Sequence, residues 1–228
     1  MSHAIDGLLQ WLKWPAALWF ALSIPQLFMA DLALVRNTLR ADLAPFWLGL
    51  MAYLAVWWLV LRHRLWGQFL STLLHELTHA IFAILTLHRV VALQATWSRG
   101  GELEFTGRGN WLIMIAPYFF PLAIVFAAPF LELVQTASPV RLAVLGVVFG
   151  FESAAMWRQV HRQQPDLHEV GYAFTAVFLP GALLWSFGTV LALALGGGRN
   201  MVTFVGTQWS EHWQLVGSLI DAAIQMII

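Results

Sequence analysis

The sequence has few charged side chains and no cysteine. Lysine, arginine, aspartate and glutamate make up 11% of the 228 residues, whereas soluble domains carry about 25%. So little charge cannot cover a water-facing surface, which excludes a soluble enzyme and a disordered chain. The absence of cysteine excludes disulfides, thiolate catalysis and cysteine-ligated metal sites. Basic and acidic residues balance at 12 each, so nothing indicates a nucleic-acid partner.

Apolar side chains, by contrast, are abundant. Hydrophobic residues make up 60% of the chain, with 13 tryptophans and 16 phenylalanines. We therefore predict an all-α membrane protein embedded in a lipid bilayer, where each span takes about 20 apolar residues. About six transmembrane helices are expected, at Trp14–Ala30, Pro45–Leu61, Phe69–His88, Trp111–Gln135, Pro139–Trp157 and Tyr172–Leu195. Residues 1–200 would form one polytopic domain.

Two segments have other patterns. Apolar and polar residues alternate over residues 91–97 and again over residues 102–106, and Ser98–Gly101 lies between them. This pattern predicts a β-hairpin with a glycine-containing turn, directly after the third span. Residues 201–228 have helical spacing of apolar and polar residues, which predicts a C-terminal amphipathic helix. It would lie in the membrane interface or pack on the bundle, after a break at Gly196–Gly198.

The third span contains the sequence His75-Glu76-Leu77-Thr78-His79. Ionisable residues in a membrane helix are costly to insert and are functional candidates by default. In this H-E-x-x-H pattern the two histidines share one helix face and can ligate one Zn²⁺. Glu76 lies about 100° around the helix and would take a proton from a metal-activated water. The alternative is a buried hydrogen-bonded cluster without a metal.

A catalytic zinc site needs a third protein ligand. Glu152 lies in the fifth span at a suitable depth. Asp166 lies between the fifth and sixth spans, and using it requires the polar stretch 158–164 to dip into a wet cavity shielded from lipid. The order and direction of the spans leave both residues open, and His168 is a further candidate.

This order of features resembles the site-2 protease class, the M50 family of intramembrane zinc metalloproteases. The resemblance covers roughly residues 65–195, and His75–His79 is its specific part. It implies an endopeptidase that cleaves transmembrane or membrane-anchored proteins, with multiple passes through an inner (plasma) membrane. It also implies a membrane-associated hairpin after the metal helix, and Asp166 as the third ligand. The chain departs from the family in having Leu167, not glycine, after this aspartate, and in lacking a PDZ domain.

The sequence leaves two other functions open. Zinc or divalent-metal transporters of the ZIP class carry a similar His-Glu-x-Pro-His-Glu motif in a span. Here Thr78 replaces the proline and Ala80 the last glutamate, and the other spans lack a matching set of ligands. A non-proteolytic membrane scaffold that keeps the zinc fold would tolerate loss of Glu76, which is present.

Overall fold

The computed structural model describes residues 2–40, 43–63, 65–96, 100–134, 138–161 and 164–227. Most of them are helical, because a chain in lipid must satisfy its backbone N–H and C=O groups within its own segment. The helices are α1 (Ser2–Arg40), α2 (Ala44–Leu59), α3 (Leu65–Leu85), α4 (Trp111–Ile115), α5 (Leu122–Leu133), α6 (Ser138–Gln159), α7 (Pro165–Val170) and α8 (Tyr172–Ile227). The strands are β1 (Val90–Ala95) and β2 (Gly101–Phe105).

Three described helices are long and apolar enough to cross a membrane, within Ser2–Leu39, Ser138–Gln159 and Tyr172–Ala222. A fourth is counted if the bent pair Trp111–Tyr118 and Leu122–Leu133 is one span. These helices indicate a membrane protein, but the prediction of six spans is not supported. The predicted second span is the 16-residue helix α2, which is only about 24 Å long against a hydrocarbon core of about 30 Å. The apolar part of α3, Phe69–Leu85, is also short.

The predicted fourth span is broken in its middle. Pro117 and Pro121 predict a bend, since proline removes a helical hydrogen bond and clashes with the preceding turn. The structure has a 3₁₀ turn at Ala116–Tyr118 and a bend of 66° between Trp111–Tyr118 and Leu122–Leu133. The Asn110 side chain caps the start of α4 by accepting from the Ile113 N–H. Gln135, the predicted last residue of this span, lies outside the described residues.

The β-hairpin prediction is confirmed. β1 pairs with β2 in antiparallel register, with Leu93 opposite Leu103 and Ala95 opposite Gly101. Leu103 packs against a buried cluster that includes Phe82 and Ala83 of α3, so the hairpin is fixed on the helix that carries the H-E-x-x-H motif. Residues 97–99, predicted to end the first strand and begin the turn, lie outside the described residues.

The last helix is interrupted at Gly196 and Gly197, within the predicted break. Gly197 has φ of 67°, a left-handed conformation that glycine adopts readily because it has no Cβ. Residues 201–227 of the predicted amphipathic segment belong to α8 beyond this break, and Ile228 lies outside the described residues.

The two parts of α8 run in opposite directions along α1. Before the break, Gly181 lies against Phe20 and Gly188 against Asp31; after it, Gln208 bonds to Gln26 and His212 to Ser23. In the first two pairs, the residue numbers of α8 and α1 rise together, so the first part of α8 runs parallel to α1. In the last two pairs, the number in α8 rises while the number in α1 falls, so the second part runs antiparallel to α1. The tail therefore packs on the bundle with Gln208 and His212 buried, while Trp209 and Trp213 of its predicted apolar face are exposed.

Glycines let α2 and α6 pack backbone to backbone. A Cβ added at Gly146 of α6 would collide with the Phe46 carbonyl of α2, and one added at Gly49 of α2 would collide with the Ala143 carbonyl of α6. These contacts hold α6, and with it the chain leading to Asp166, close to the rest of the bundle.

We expect Gly146→Ala to destabilise the protein by roughly 1–3 kcal/mol, the usual cost of overpacking a close contact. In an open helical position the same change stabilises by up to about 1 kcal/mol, because alanine is the better helix former. Gly206→Ala is the matched control, since nothing lies within 4 Å of a Cβ at that position. Thermal unfolding in detergent measures both variants. Equal midpoints would show that the α2–α6 contact is not tight.

Candidate metal centre

The H-E-x-x-H motif lies on the face of α3 that points into the protein. His75, Glu76 and His79 are 8%, 8% and 5% exposed. Since the histidines are four residues apart, their rings lie one above the other on a single helix face. Their Nε2 atoms are 3.0 Å apart, close enough to share one ligand.

Asp166 lies next to this histidine pair. It is in the first turn of α7, where Pro165 begins the helix. Its Oδ2 atom is 3.1 Å from Nε2 of His75 and 3.3 Å from Nε2 of His79. The connection after α6 therefore does dip toward α3, as the use of this aspartate requires.

The other two candidates for third ligand lie elsewhere. Glu152 is buried in α6, where its Oε1 accepts from the Ala123 N–H at 2.5 Å and so caps the start of α5. Its Oε2 has no hydrogen-bond partner among the described residues. His168 is exposed and its ring lies beside Tyr172. In the described part of the chain, His75, His79 and Asp166 form the one group of ligand-type side chains that could hold a metal ion.

The hydrogen bonds around the histidines fix where their protons lie. Nδ1 of His79 is 2.7 Å from the Ile113 carbonyl, which can only accept, so this nitrogen carries the proton. The Gln159 amide N–H donates to the Ser71 carbonyl at 3.0 Å, which leaves its Oε1 to accept from Nδ1 of His75 at 2.6 Å. In its neutral form, each imidazole thus presents a lone pair at Nε2. Both lone pairs point toward the Asp166 carboxylate.

This arrangement concentrates lone pairs and negative charge at one point. Burial raises the pKa of Asp166, whereas donation from Nε2 of His75 and His79, when these nitrogens carry protons, lowers that pKa below its usual range. An ionised Asp166 is therefore favoured when positive charge lies between it and the two imidazoles. Protons or a cation at the centre of the cluster would balance this charge.

The residues present fit a zinc ion in both chemistry and size. Two imidazole nitrogens and a carboxylate oxygen are ligands that catalytic zinc uses. In a tetrahedron with metal–ligand bonds of about 2.0–2.1 Å, neighbouring ligand atoms are about 3.3 Å apart. The three observed separations are 3.0, 3.1 and 3.3 Å. His75, His79 and Asp166 would thus bind the ion with little movement.

Glu76 lines the same cavity as His75, His79 and Asp166. This cavity has a volume of about 660 Å³ and lies between α3, β2 and α7. Gly101, the first residue of β2, lies directly on Glu76: a Cβ added there would be 2.6 Å from Glu76 Oε1. The carboxylate is thus held between the hairpin and the histidines. Glu169 also lines the cavity, but its side chain is exposed to solvent.

Sequence reasoning missed two residues beside the centre. The Tyr118 hydroxyl donates to Oδ2 of Asp166 at 2.9 Å, and its ring stands edge-on to His75 at 5.3 Å. Gln159 bonds to His75 from the end of α6. A tyrosine between Pro117 and Pro121, and a glutamine closing an apolar helix, are weak signals by themselves. Their position becomes clear only when the helices are packed.

Comparison of the chain with models of protein families, with curated proteins and with solved structures gives no match.

Proposed function

We propose that this protein is an intramembrane zinc endopeptidase of the site-2 protease class. The observation that carries the proposal is the convergence of His75, His79 and Asp166 beside Glu76, in a cavity among apolar helices. A carboxylate next to such a ligand set is the arrangement used in metal-assisted hydrolysis. Iron(II) oxygenases also use two histidines and a carboxylate, but they do not need a second carboxylate as a base.

The chain's own residues supply the remaining parts of the reaction. His75, His79 and Asp166 would hold a zinc ion, which when bound would supply Lewis-acid activation of a water molecule and of the scissile carbonyl. Glu76 takes a proton from that water at a carboxylate oxygen, and the water oxygen adds to the carbonyl carbon of the substrate. Glu76 then gives the proton to the amide nitrogen as the C–N bond breaks. Asp166, His75 and His79 would keep the zinc ion in place throughout the reaction.

The cavity wall supports an extended substrate. Its lining includes Gly101, Glu102 and Leu103 of β2, and β2 pairs with β1 on one edge only in the described sheet. The other edge of β2 can hydrogen-bond an added strand, a common mode of peptide recognition. We propose that a transmembrane or membrane-anchored substrate unwinds locally and pairs with this edge. The hairpin would then be membrane-associated, in a multi-pass protein of an inner (plasma) membrane.

A metal transporter is the main alternative. A conduction path needs several weak sites in succession, so that an ion can enter and leave. The described residues contain a single group of three or more ligand-type side chains, which favours a resident ion over one in transit.

A reconstituted assay tests the proposal. The protein is placed in proteoliposomes with a single-span substrate library, and cleavage products are identified by mass spectrometry. We expect cleavage that stops when a chelator removes the metal and returns when zinc is added back. Zinc flux across the same vesicles without cleavage would instead support a transporter and contradict the peptidase.

A further inference from the structure

We propose that Gln159 is a positioning residue of the metal centre: it holds the His75 ring so that Nε2 faces Asp166 and His79. The inference rests on the proposed function in so far as the centre binds zinc. Its basis is a pair of hydrogen bonds that the H-E-x-x-H motif does not supply.

Both ends of the Gln159 amide are engaged with α3. Oε1 lies 2.6 Å from Nδ1 of His75, and Nε2 donates to the Ser71 carbonyl at 3.0 Å. Exchanging the two ends would place the amide oxygen against the Ser71 carbonyl oxygen, so the backbone of α3 fixes which end faces the histidine. The amide therefore presents an acceptor to His75.

An acceptor at this position determines which nitrogen of His75 can bind metal. A neutral imidazole carries its proton on one nitrogen and a lone pair on the other, and the partner of the first selects the second as ligand. With Oε1 accepting from Nδ1, the lone pair lies on Nε2, 3.1 Å from Oδ2 of Asp166. Without that acceptor, the proton can move to Nε2 and the ring can turn, and both changes remove the ligand.

His79 is held by a different kind of acceptor. Its Nδ1 bonds to the backbone carbonyl of Ile113, which no side-chain substitution deletes. Of these two contacts, the one to His75 is therefore the one that mutation can remove.

Gln159 also has a second contact that could account for its presence. It is the last residue of α6, and its bond to Ser71 fastens the end of that helix to α3, seven residues before Asp166. A purely structural role would use the amide N–H as donor to Ser71. The positioning role uses the amide oxygen as acceptor from His75. Because the two roles use different atoms, two substitutions separate them.

The experiment compares Gln159→Met and Gln159→Glu in the full chain, in lipid nanodiscs. Methionine keeps the length but has neither amide group. Glutamate keeps an oxygen for His75 but cannot donate to Ser71. Gln164→Met is the matched control, since Gln164 lines the same cavity and its side chain makes no cap bond to α7. Zinc affinity is measured by competition with a chromophoric chelator, and cobalt(II) absorption reports the ligand set.

We expect Gln159→Met to weaken zinc binding by about 10–100-fold, the usual effect of losing a partner of a metal-bound histidine. Its cobalt absorption should lose intensity, whereas Gln159→Glu and Gln164→Met should resemble wild type. Equal weakening in Met and Glu variants would overturn the proposal, because it would show that the bond to Ser71 matters. Wild-type zinc affinity in Gln159→Met would also overturn the proposal.

Failure of the peptidase proposal gives a different result. Wild-type protein that binds zinc but cleaves no substrate contradicts the proposed reaction and leaves the role of Gln159 to be judged from affinity. Wild-type protein that binds no zinc contradicts both.

Discussion

Glu76→Gln is expected to lower the rate of substrate cleavage by about 10²–10⁴-fold, the range for loss of a general base. Glutamine has nearly the same shape but cannot accept a proton from water at neutral pH. Glu76 is not one of the three converging ligand residues, so the variant should still bind zinc. Cleavage of a co-reconstituted single-span substrate and metal content of the same preparation measure the two effects separately.

The control for this variant is Glu169→Gln, which removes a negative charge from the same cavity. Glu169 is exposed, so its loss should change cleavage little. Cleavage by Glu76→Gln at the wild-type rate would show that Glu76 is not the base and would contradict the proposed reaction. If both variants lost activity equally, the charge of the cavity would matter more than a base at residue 76.

Asp166→Ala is expected to lower zinc affinity by more than the 10–100-fold that loss of an outer partner costs, because it removes a ligand. The side chain is 21% exposed, at the start of a short helix, so its truncation should leave the fold intact. Metal analysis after dialysis against a zinc buffer, with circular dichroism to check folding, measures the change.

Glu152→Ala tests the other candidate for the third ligand. Glu152 is buried and caps α5, so its loss should reduce thermal stability while zinc content stays near that of wild type. The reverse pattern, with zinc kept in Asp166→Ala and lost in Glu152→Ala, would show that the third ligand is Glu152.

Much of the architecture around the motif could be predicted from sequence. The alternation in residues 91–96 predicted β1, because a strand exposes successive side chains to opposite faces. The glycines at 196 and 197 predicted the interruption of α8. The pattern could not show that the chain then turns back along α1 and buries Gln208 and His212. That depends on partners in α1, such as Ser23, which have no sequence signature.

The number of spans was the least predictable feature. Composition shows that a segment is apolar, but the length of a helix depends on its ends and on what it packs against. α2 was predicted to end at Leu61 and ends at Leu59, and Gly49 lets it pack closely against α6. Apolar runs that pack against other helices are not distinguished by hydropathy from runs that face lipid.

The candidate site was predictable only where one helix carries it. His75, Glu76 and His79 are adjacent on α3, so helical periodicity is enough to bring them together. The choice between Asp166 and Glu152 required the path of the chain after α6. Tyr118 could not be placed without knowing how the segment Trp111–Tyr118 packs beside α7, where its hydroxyl donates to Asp166.

X-ray absorption at the zinc edge, on purified protein loaded with zinc, tests the central claim most directly. We expect a first shell of nitrogen and oxygen at about 2.0–2.1 Å, with the outer-shell scattering of two imidazole rings. Protein that retains no zinc after loading, or a spectrum without imidazole scattering, would contradict a metal centre built on His75 and His79.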